Sequence, residues 1–193
     1  MITEGRHEVN ARFTPKTLYV SGSPRQGSNT DHLLEEIRAA VPGEFIKLSE
    51  LTIEPCRACW ACQTTEHCTI VDELSPVLAR LCEVDVLVLG SPVYFNNVSS
   101  SMKAFIDRTW CLRGRLRNKI GGAVVVGRRD GIESALTALQ AFFLKHDMIP
   151  ANRGVSGLAF NAGDIVNDRV ALGAAAALGE RLIELSGLLQ GHR

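Results

Sequence analysis

The chain has 193 residues, and 46% of them are apolar, so one complete domain with a buried core is expected. Its 21 basic and 21 acidic residues cancel, which argues against a nucleic-acid partner, because such proteins usually carry a basic surface. The sequence has no apolar run long enough to span a membrane and no apolar signal-peptide stretch in its polar first residues, so we expect a cytoplasmic protein with no membrane partner.

The predicted elements follow a polar segment, residues 1–16, which we expect to form an N-terminal arm. No internal repeat, low-complexity tract or linker interrupts residues 17–193, so we predict that they form one domain. Short apolar runs rich in β-branched residues predict strands buried on both faces. These runs, in chain order, are Thr17–Val20, Phe45–Leu48, Val84–Leu89, Ala123–Val126 and Val155–Ala159.

Between and after the strands, apolar residues recur with the spacing of amphipathic helices. The stripes run over 33–41, 74–81, 102–109, 136–143 and 172–189. Alternating strands and helices predict an α/β fold, namely a doubly wound, five-stranded parallel sheet in a three-layer α/β/α arrangement. Sheets of this kind bind their ligands at the carboxyl ends of the strands.

A glycine follows each of the three strongest predicted strands: Gly22, Gly90 and Gly127. Glycine destabilises regular elements, but it lets the backbone turn sharply or approach a ligand closely. Because the carboxyl ends of parallel strands meet at one edge of the sheet, three such glycines indicate one shared site at that edge.

The loop after the first strand, residues 21–30, is rich in groups that bind anions. Free amides at the start of the following helix attract a phosphate, and Arg25 can neutralise it with a charge-assisted hydrogen bond. Further hydrogen bonds can come from Ser23, Ser28, Asn29 and Thr30. The pattern matches neither an ATPase P-loop nor a dinucleotide-binding fingerprint. A simple helix cap supplied by Asn29 or Thr30 is the alternative interpretation.

Four cysteines lie close together in the segment 56–68, with the spacing C-x2-C-x2-C-x5-C. They are Cys56, Cys59, Cys62 and Cys68. Thiolates at such spacings can hold one compact inorganic centre, as in iron–sulfur proteins. Three interpretations stay open: a [4Fe–4S] cluster, a structural zinc site, or a loop of free or oxidised thiols. The remaining cysteines, Cys82 and Cys111, are expected to be small buried apolar residues.

Three motifs carry a resemblance to a known family. Ser23-Pro-Arg-x-x-Ser28-Asn-Thr30 resembles the phosphate loop of the flavodoxin-like NAD(P)H-dependent FMN reductases. Gly90-Ser-Pro-Val-Tyr-Phe-Asn-Asn-Val-Ser-Ser-Ser-Met-Lys-Ala-Phe-Ile-Asp-Arg108 is similar to the loop and helix that border the flavin ring, and Gly127-Arg-Arg-Asp-Gly131 matches more loosely. With the cysteine segment, the chain most resembles the iron–sulfur flavoproteins and related multimeric flavodoxin-like reductases.

The resemblance implies a flavodoxin-like fold and an FMN site. Backbone amides of residues 93–96 would bind the polar edge of the flavin ring, and the aromatic pair after Val93 would form its wall. The implied ring-side residues are Pro92, Val93, Tyr94, Phe95 and Asn96, with Asp130 and Gly131 on the other side. Asn96 stands where relatives commonly carry glycine. Core packing is the alternative for Tyr94 and Phe95.

The activity that the resemblance implies is electron transfer by an FMN-dependent oxidoreductase, from NAD(P)H or a ferredoxin-like donor to a quinone, free flavin or oxygen. In the version with a [4Fe–4S] cluster, the four cysteines of segment 56–68 would be its ligands. Two alternatives stay open: a cluster-free NAD(P)H:FMN or quinone reductase, and a non-enzymatic flavodoxin-type electron carrier. We assign no side chain as a catalytic acid, base or nucleophile. Small residues in the last helix, Gly173–Ala177 and Gly179, favour a homodimer or homotetramer.

Overall fold

The computed structural model describes residues 14–190. The expected N-terminal arm therefore lies outside the described residues, except for 14–16, and the predicted domain is described as far as residue 190. Lys16 is tied to the sheet: its amide donates to Asp85 Oδ2 (3.0 Å), and its carbonyl accepts from the amides of Asp85 (2.8 Å) and Val86 (3.1 Å).

The strands of residues 14–190 form one parallel sheet. They are β1 (Thr17–Ser21), β2 (Glu44–Lys47), β3 (Val86–Pro92), β4 (Ile120–Gly127), β5 (Ile149–Pro150) and β6 (Val155–Leu158). Their order across the sheet is β2-β1-β3-β4-β5, and β6 also pairs with β4. Every pair is parallel. The predicted parallel α/β sheet is therefore confirmed.

The fifth position of the sheet departs from the expected five strands. β5 pairs with the start of β4, at Ile120 and Gly121, whereas β6 pairs with its end, over 124–127. Between them lies Gly154, whose φ of 102° is a value that residues with a Cβ rarely adopt. Because the backbone turns there, two short segments fill the position of one strand.

The α-helices within residues 14–190 agree with the predicted stripes. They are α1 (Asn29–Ala40), α2 (Cys62–Thr65), α3 (Leu74–Leu81), α4 (Ser100–Arg108), α5 (Ile132–Lys145) and α6 (Arg169–Gln190). The five predicted helices are all confirmed. The additional helix, α2, has four residues inside the cysteine segment, too few to produce an apolar stripe in the sequence.

The helices cover both faces of the sheet. α3, α4 and α5 pack on one face, where Leu74, Met102 and Phe142 are buried. α1 and α6 pack on the other, where Leu33 and Leu178 are buried. β4 is buried along its whole length, which explains its continuous apolar run. The three-layer α/β/α arrangement is thus confirmed.

Gly22, which follows β1, lies next to Gly90, which the sequence placed after the third strand but which lies inside β3 because that strand continues to Pro92. The Gly22 amide donates to the Gly90 carbonyl at 2.8 Å. A Cβ on Gly90 would lie 2.6 Å from Leu34 Cδ1, and one on Gly22 would lie 2.8 Å from Met102 Cβ. These glycines therefore let α1 and α4 approach the edge of the sheet closely, which brings the starts of both helices to one place.

Only part of the small-residue stretch of α6 packs within the chain, since Gly173, Ala176 and Ala177 are exposed. An added Cβ on Gly179 would lie 3.1 Å from Ala40 Cβ of α1, and Ala171 and Ala175 are buried. The close helix approach that the small residues allow is thus found between α6 and α1. Assembly into a homodimer or homotetramer stays a prediction.

None of the helices in residues 14–190 combines the length and apolar character needed to cross a bilayer.

Candidate flavin and cysteine sites

The first candidate site is the loop that joins β1 to α1. Ser28 has an extended backbone and caps α1, because its Oγ accepts from the Asp31 amide at 3.0 Å. The cap is therefore Ser28, and not Asn29 or Thr30 as the alternative interpretation had it. The amides of Asn29 and Thr30 lie in the first turn of α1, where no intrahelical acceptor exists. They are thus available to an anion.

Asn29 holds the loop from its other side. Its Nδ2 donates to the Asn161 carbonyl (2.7 Å), and its Oδ1 accepts from the Ile165 amide (3.3 Å). These bonds connect the start of α1 to the segment after β6. The Asn29 side chain is therefore engaged within the protein, which leaves its backbone amide as the group available to a ligand.

A buried ion pair beneath the loop was not anticipated from the sequence. Asp31 pairs with Lys47 at the end of β2, and their side chains are 15% and 8% exposed. Asp31 also accepts from Ser21 Oγ, and Lys47 donates to the Arg25 carbonyl. A carboxylate in the first turn would repel a bound phosphate, but Lys47 compensates its charge. The available signal was a lysine inside an apolar run predicted to be a strand.

The ring-side motif after β3 forms a tight turn. The backbones of Tyr94 and Asn97 exchange hydrogen bonds of 2.8 and 3.1 Å around Phe95 and Asn96, whose φ angles are 48° and 62°. Two successive positive φ angles are typical of a type I′ turn, which favours asparagine and glycine. Asn96 therefore adopts the backbone conformation that a glycine would also allow. The Phe95 side chain is fully exposed on this turn.

The loop after β4 packs against this turn. A Cβ on Gly131, whose φ is 81°, would lie 2.6 Å from Asn96 Cα and 2.9 Å from Val93 Cγ1. Only glycine lets the two ring-side segments lie this close. Asp130 is exposed and pairs with the adjacent Arg129 at 3.1 Å. Its role beside a flavin stays a prediction.

We expect Gly131→Ala to weaken FMN binding by about tenfold or more, equivalent to about 1.4 kcal/mol. The new Cβ would collide with Asn96 and displace the turn, and the left-handed backbone adds about 1–2 kcal/mol of strain. Quenching of flavin fluorescence during titration measures the affinity. Gly114→Ala is the matched control, because Gly114 has a φ of 75° with no atom within 4 Å of its added Cβ. Equal FMN affinity in the two variants would contradict the prediction.

A cleft of about 120 Å³ lies between these loops. The predicted cofactor residues that line it are Ser23, Arg25, Ser28, Asn29, Thr30, Pro92, Val93 and Tyr94. The other four, which lie on the neighbouring turn and loop, are Phe95, Asn96, Asp130 and Gly131. Arg128 and Phe160, which the sequence analysis did not assign, line the cleft as well.

The donors in this cleft fit the phosphate end of FMN. Hydroxyl groups, free helix amides and the Arg25 guanidinium are the groups that a phosphate monoester requires. Ligand pockets usually enclose about 300–1,000 Å³, so this smaller cleft would enclose only part of an FMN molecule. The exposed turn at 94–97 borders the space beyond it.

The second candidate site is a cavity of about 750 Å³ beside α4 and α5. Its lining includes all four clustered cysteines, Cys56, Cys59, Cys62 and Cys68. Cys111 lines it too and is buried, as predicted, and burial raises the pKa of its thiol. Cys82 is only half-buried, against the apolar core and outside the cavity lining, because it follows the last turn of α3.

The backbone of the cysteine segment is wound tightly between its cysteines. Ala58, Trp60 and Glu66 have φ angles of 51°, 60° and 58°, each costing about 1–3 kcal/mol in a residue with a Cβ. Such conformations persist only where the surroundings impose them. A hydrogen bond from the Ala61 amide, supported by Thr69 Oγ1 at 3.7 Å, lowers the pKa of the Cys59 thiol.

The cysteine segment fits a metal centre in its chemistry and its location. Thiolates are the ligands of iron–sulfur clusters and of many zinc sites, and all four line one cavity. Among residues 14–190, however, no group of His, Cys, Asp or Glu side chains is gathered closely enough to hold a metal ion. Metal sites commonly assemble only as the metal binds, so the segment would have to close around such a centre.

His146, in the wall of this cavity, is 5% exposed. Thr109 Oγ1 donates its proton to the Ile106 carbonyl (2.6 Å), so at 3.0 Å it accepts from His146 Nε2–H. His146 Nδ1 is then a buried acceptor without a partner among the described residues. Burial lowers the pKa of His146, because the charged imidazolium would lose its hydration.

We expect the free energy of unfolding to fall as the pH is lowered below about 6.5, the ordinary pKa of histidine. In that range His146 binds a proton more readily in the unfolded chain than in the folded protein, where it is buried. Unfolding is therefore favoured as the pH falls. Urea denaturation at about pH 8 and about pH 5.5 measures the difference. His146→Gln should reduce it, whereas the exposed His32→Gln should leave it unchanged. An unaltered pH dependence in His146→Gln would refute the assignment.

The fold is that of a flavodoxin-like α/β protein. At 18% identity and a TM-score of 0.58, a flavodoxin from the domain Archaea shares the fold, with 88% of this chain and 96% of that chain covered. RosB with bound 8-demethyl-8-formylriboflavin-5′-phosphate gives a TM-score of 0.75 at 17% identity, covering 92% and 81%. These likenesses show the fold alone.

The sequence comparisons identify the family. The family model described as NADPH-dependent FMN reductase matches residues 15–163, so the chain belongs to that family. An iron–sulfur flavoprotein of Methanocaldococcus jannaschii is 37% identical over 191 residues, which cover 91% of this chain and 99% of the relative. The protein is thus an NAD(P)H-dependent FMN oxidoreductase, as the sequence motifs predicted.

Proposed function

We propose that this oxidoreductase passes electrons between NAD(P)H, or a ferredoxin-like donor, and a small acceptor through a [4Fe–4S] cluster held by the cysteine segment. The observation that carries the proposal is the shared location of Cys56, Cys59, Cys62 and Cys68 on one cavity. The name of the 37% identical relative supports it. A quinone, free flavin or oxygen is the acceptor we propose.

The chain's own residues would bind and orient the flavin. Arg25 and the first amides of α1 would neutralise the phosphate, while Lys47 holds the Arg25 carbonyl and compensates Asp31. The turn at 94–97 would border the ring. When bound, FMN supplies the chemistry that exchanges paired and single electrons. The protein contributes position, charge compensation and the exclusion of water from the cleft.

Helix α4 connects the two candidate sites. At its start, Ser99 Oγ donates to the Gly22 carbonyl (2.6 Å), next to the phosphate loop. At its end, Arg108 Nε donates to Cys68 Sγ (3.2 Å). The two sites are therefore separate places on one chain that share a single rigid element, which supports a division into a flavin site and a relay site.

A second candidate is a cluster-free NAD(P)H:FMN or quinone reductase. It is favoured by the spread of the cysteine side chains, which form no metal-binding group within residues 14–190, and by the exposure of Cys56 and Cys59. The flavodoxin-type carrier is disfavoured, because the family model that the chain matches is described as NADPH-dependent FMN reductase. A homodimer or homotetramer is proposed for either version.

The deciding experiment measures iron, acid-labile sulfide and FMN per chain after purification without oxygen, followed by anaerobic reconstitution. About four iron and four sulfide per chain would support the relay. Iron and sulfide near zero, with FMN bound and NAD(P)H oxidation intact, would select the cluster-free reductase. Bound FMN with neither iron nor NAD(P)H oxidation would select the flavodoxin-type carrier instead.

A further inference from the structure

The side chain of Arg108 is buried at the base of the cysteine segment. It is the last residue of α4, is 1% exposed, and is among the largest fully buried side chains in residues 14–190. A buried guanidinium loses its hydration, so its presence requires compensation by partners. Those partners all lie at or beside the cysteine segment.

All five N–H groups of Arg108 have acceptors, which use its whole donor capacity. One η nitrogen donates to the Glu54 carbonyl (2.8 Å) and to Asp72 Oδ2 (2.7 Å). The other donates to the Ile70 carbonyl (3.1 Å) and to Asp72 Oδ1 (3.0 Å). The remaining donor, Nε, contacts Cys68 Sγ at 3.2 Å.

These contacts close the cysteine segment at both ends. Glu54 lies just before Cys56, whereas Ile70 and Asp72 lie just after Cys68, so one side chain holds the entry and the exit together. Asp72 Oδ2 completes the closure by accepting from the Glu54 amide at 2.9 Å. The segment between them is thereby held as a loop with a fixed base.

The hydrogen bond to Cys68 Sγ is not needed to balance the charge of Arg108 or to hold the base of the segment. Asp72 already balances the charge of Arg108 through a bidentate pair, and the two backbone carbonyls satisfy the other η protons. The Nε–H group is the one donor directed at a candidate ligand, Cys68. Hydrogen bonds to ligating sulfur withdraw electron density from a metal centre and raise its reduction potential.

We propose that Arg108 is the positioning residue of the cysteine centre: it fixes the base of the segment and donates to the sulfur of Cys68, which raises the reduction potential of the centre. This inference rests on the proposed [4Fe–4S] function. By the same reasoning, Asp72 lowers the reduction potential, because its carboxylate offsets the charge of the guanidinium beside the same sulfur.

Two substitutions separate this role from a purely structural one. Arg108→Lys keeps the positive charge and can still pair with Asp72, but a lysine cannot reach the carboxylate and Cys68 together. Asp72→Asn keeps the shape and leaves the Arg108 charge uncompensated. Both substitutions weaken the contact between residues 108 and 72. A purely structural role therefore predicts that the reduction potential shifts in the same direction in the two variants. The proposed role predicts potentials that move in opposite directions.

The test uses full-length protein reconstituted anaerobically with iron and sulfide, and a redox titration followed by electron paramagnetic resonance. We expect a lower midpoint potential in Arg108→Lys and a higher one in Asp72→Asn. Each shift should correspond to about tenfold in the equilibrium constant, or about 59 mV for a one-electron couple. We also expect iron release to a chelator to be at least about tenfold faster in Arg108→Lys. This factor corresponds to about 1.4 kcal/mol of lost stabilisation.

Arg113→Lys is the control, because Arg113 is an exposed arginine that lies over Trp110, 4.8 Å from the ring centroid, near the same cavity. It should match the wild type. An unchanged potential in Arg108→Lys, or shifts of the same sign in both variants, would overturn the inference. If Arg108→Lys does not fold, Asp72→Asn decides alone: a higher potential supports the role and any other result rejects it. Wild-type protein that takes up no iron would instead refute the proposed cluster.

Discussion

Cys59→Ser is expected to reduce the iron content after anaerobic reconstitution from about four atoms per chain to near zero. A serine hydroxyl stays protonated near neutral pH and is a poor ligand for the soft iron of a cluster. Cys59 is suited to thiolate ligation, because the Ala61 amide and Thr69 lower the pKa of its thiol. FMN content should not change, because the phosphate loop lies at the opposite end of α4 from the cysteine segment. Colorimetric iron and sulfide assays with flavin absorbance measure both quantities.

The control for this substitution is Cys82→Ser. Cys82 is half-buried after α3 and does not line the cavity, so its loss should leave the iron content at the wild-type level. Full iron content in Cys59→Ser would remove Cys59 from the ligand set. Equal loss of iron in both variants would point to general unfolding rather than ligation.

Lys47→Met is expected to lower the free energy of unfolding by about 3–5 kcal/mol, because it leaves the Asp31 carboxylate buried without its partner. FMN affinity should fall as well. Without Lys47, the Arg25 carbonyl loses a donor, and the uncompensated carboxylate repels the phosphate in the first turn of α1. Urea denaturation of the apoprotein measures the first effect, and titration with FMN measures the second.

A second lysine–aspartate pair provides the comparison. Lys103 and Asp107 pair at 2.6 Å on the surface of α4, with side chains 57% and 44% exposed. Lys103→Met should therefore cost less than about 1 kcal/mol. If the two lysine substitutions destabilise the protein equally, burial of the Asp31 pair does not support the loop. Lys47→Met combined with Asp31→Asn should recover part of the loss, since the unpaired charge is then removed.

The fold was predictable because the strands are buried on both faces. β1 and β4 are buried over their whole length, so their apolar runs stand out against the amphipathic helices. The split of the fifth strand position was not predictable, since β5 has only two residues, Ile149 and Pro150, and carries no pattern. The sequence predicted donors in the loop between β1 and α1 because they adjoin a strand end and a helix start, and these residues do line one cleft, but their binding of a phosphate stays a prediction.

The supporting residues of both candidate sites could not be derived from local patterns. Asp31 and Lys47 come from a helix and a strand that the sequence separates, and only the folded sheet brings them under the loop. Arg108 lies 40 positions from Cys68, at the end of a helix whose exposed face also carries charges. A charged residue at a helix end usually faces solvent, so nothing in the sequence marks this one as buried.

Because α4 is anchored at both ends, its length helps to fix how far apart the two candidate sites lie. Its nine residues rise about 13.5 Å along the helix axis. Each residue also rotates the helix by about 100°, so one inserted residue would turn Arg108 more than a quarter turn away from Cys68. The helix thus fixes both the axial separation of Ser99 from Arg108 and the direction in which Arg108 leaves the helix. A change of chain length between Ser99 and Arg108 is therefore expected to displace one of the two candidate sites relative to the other.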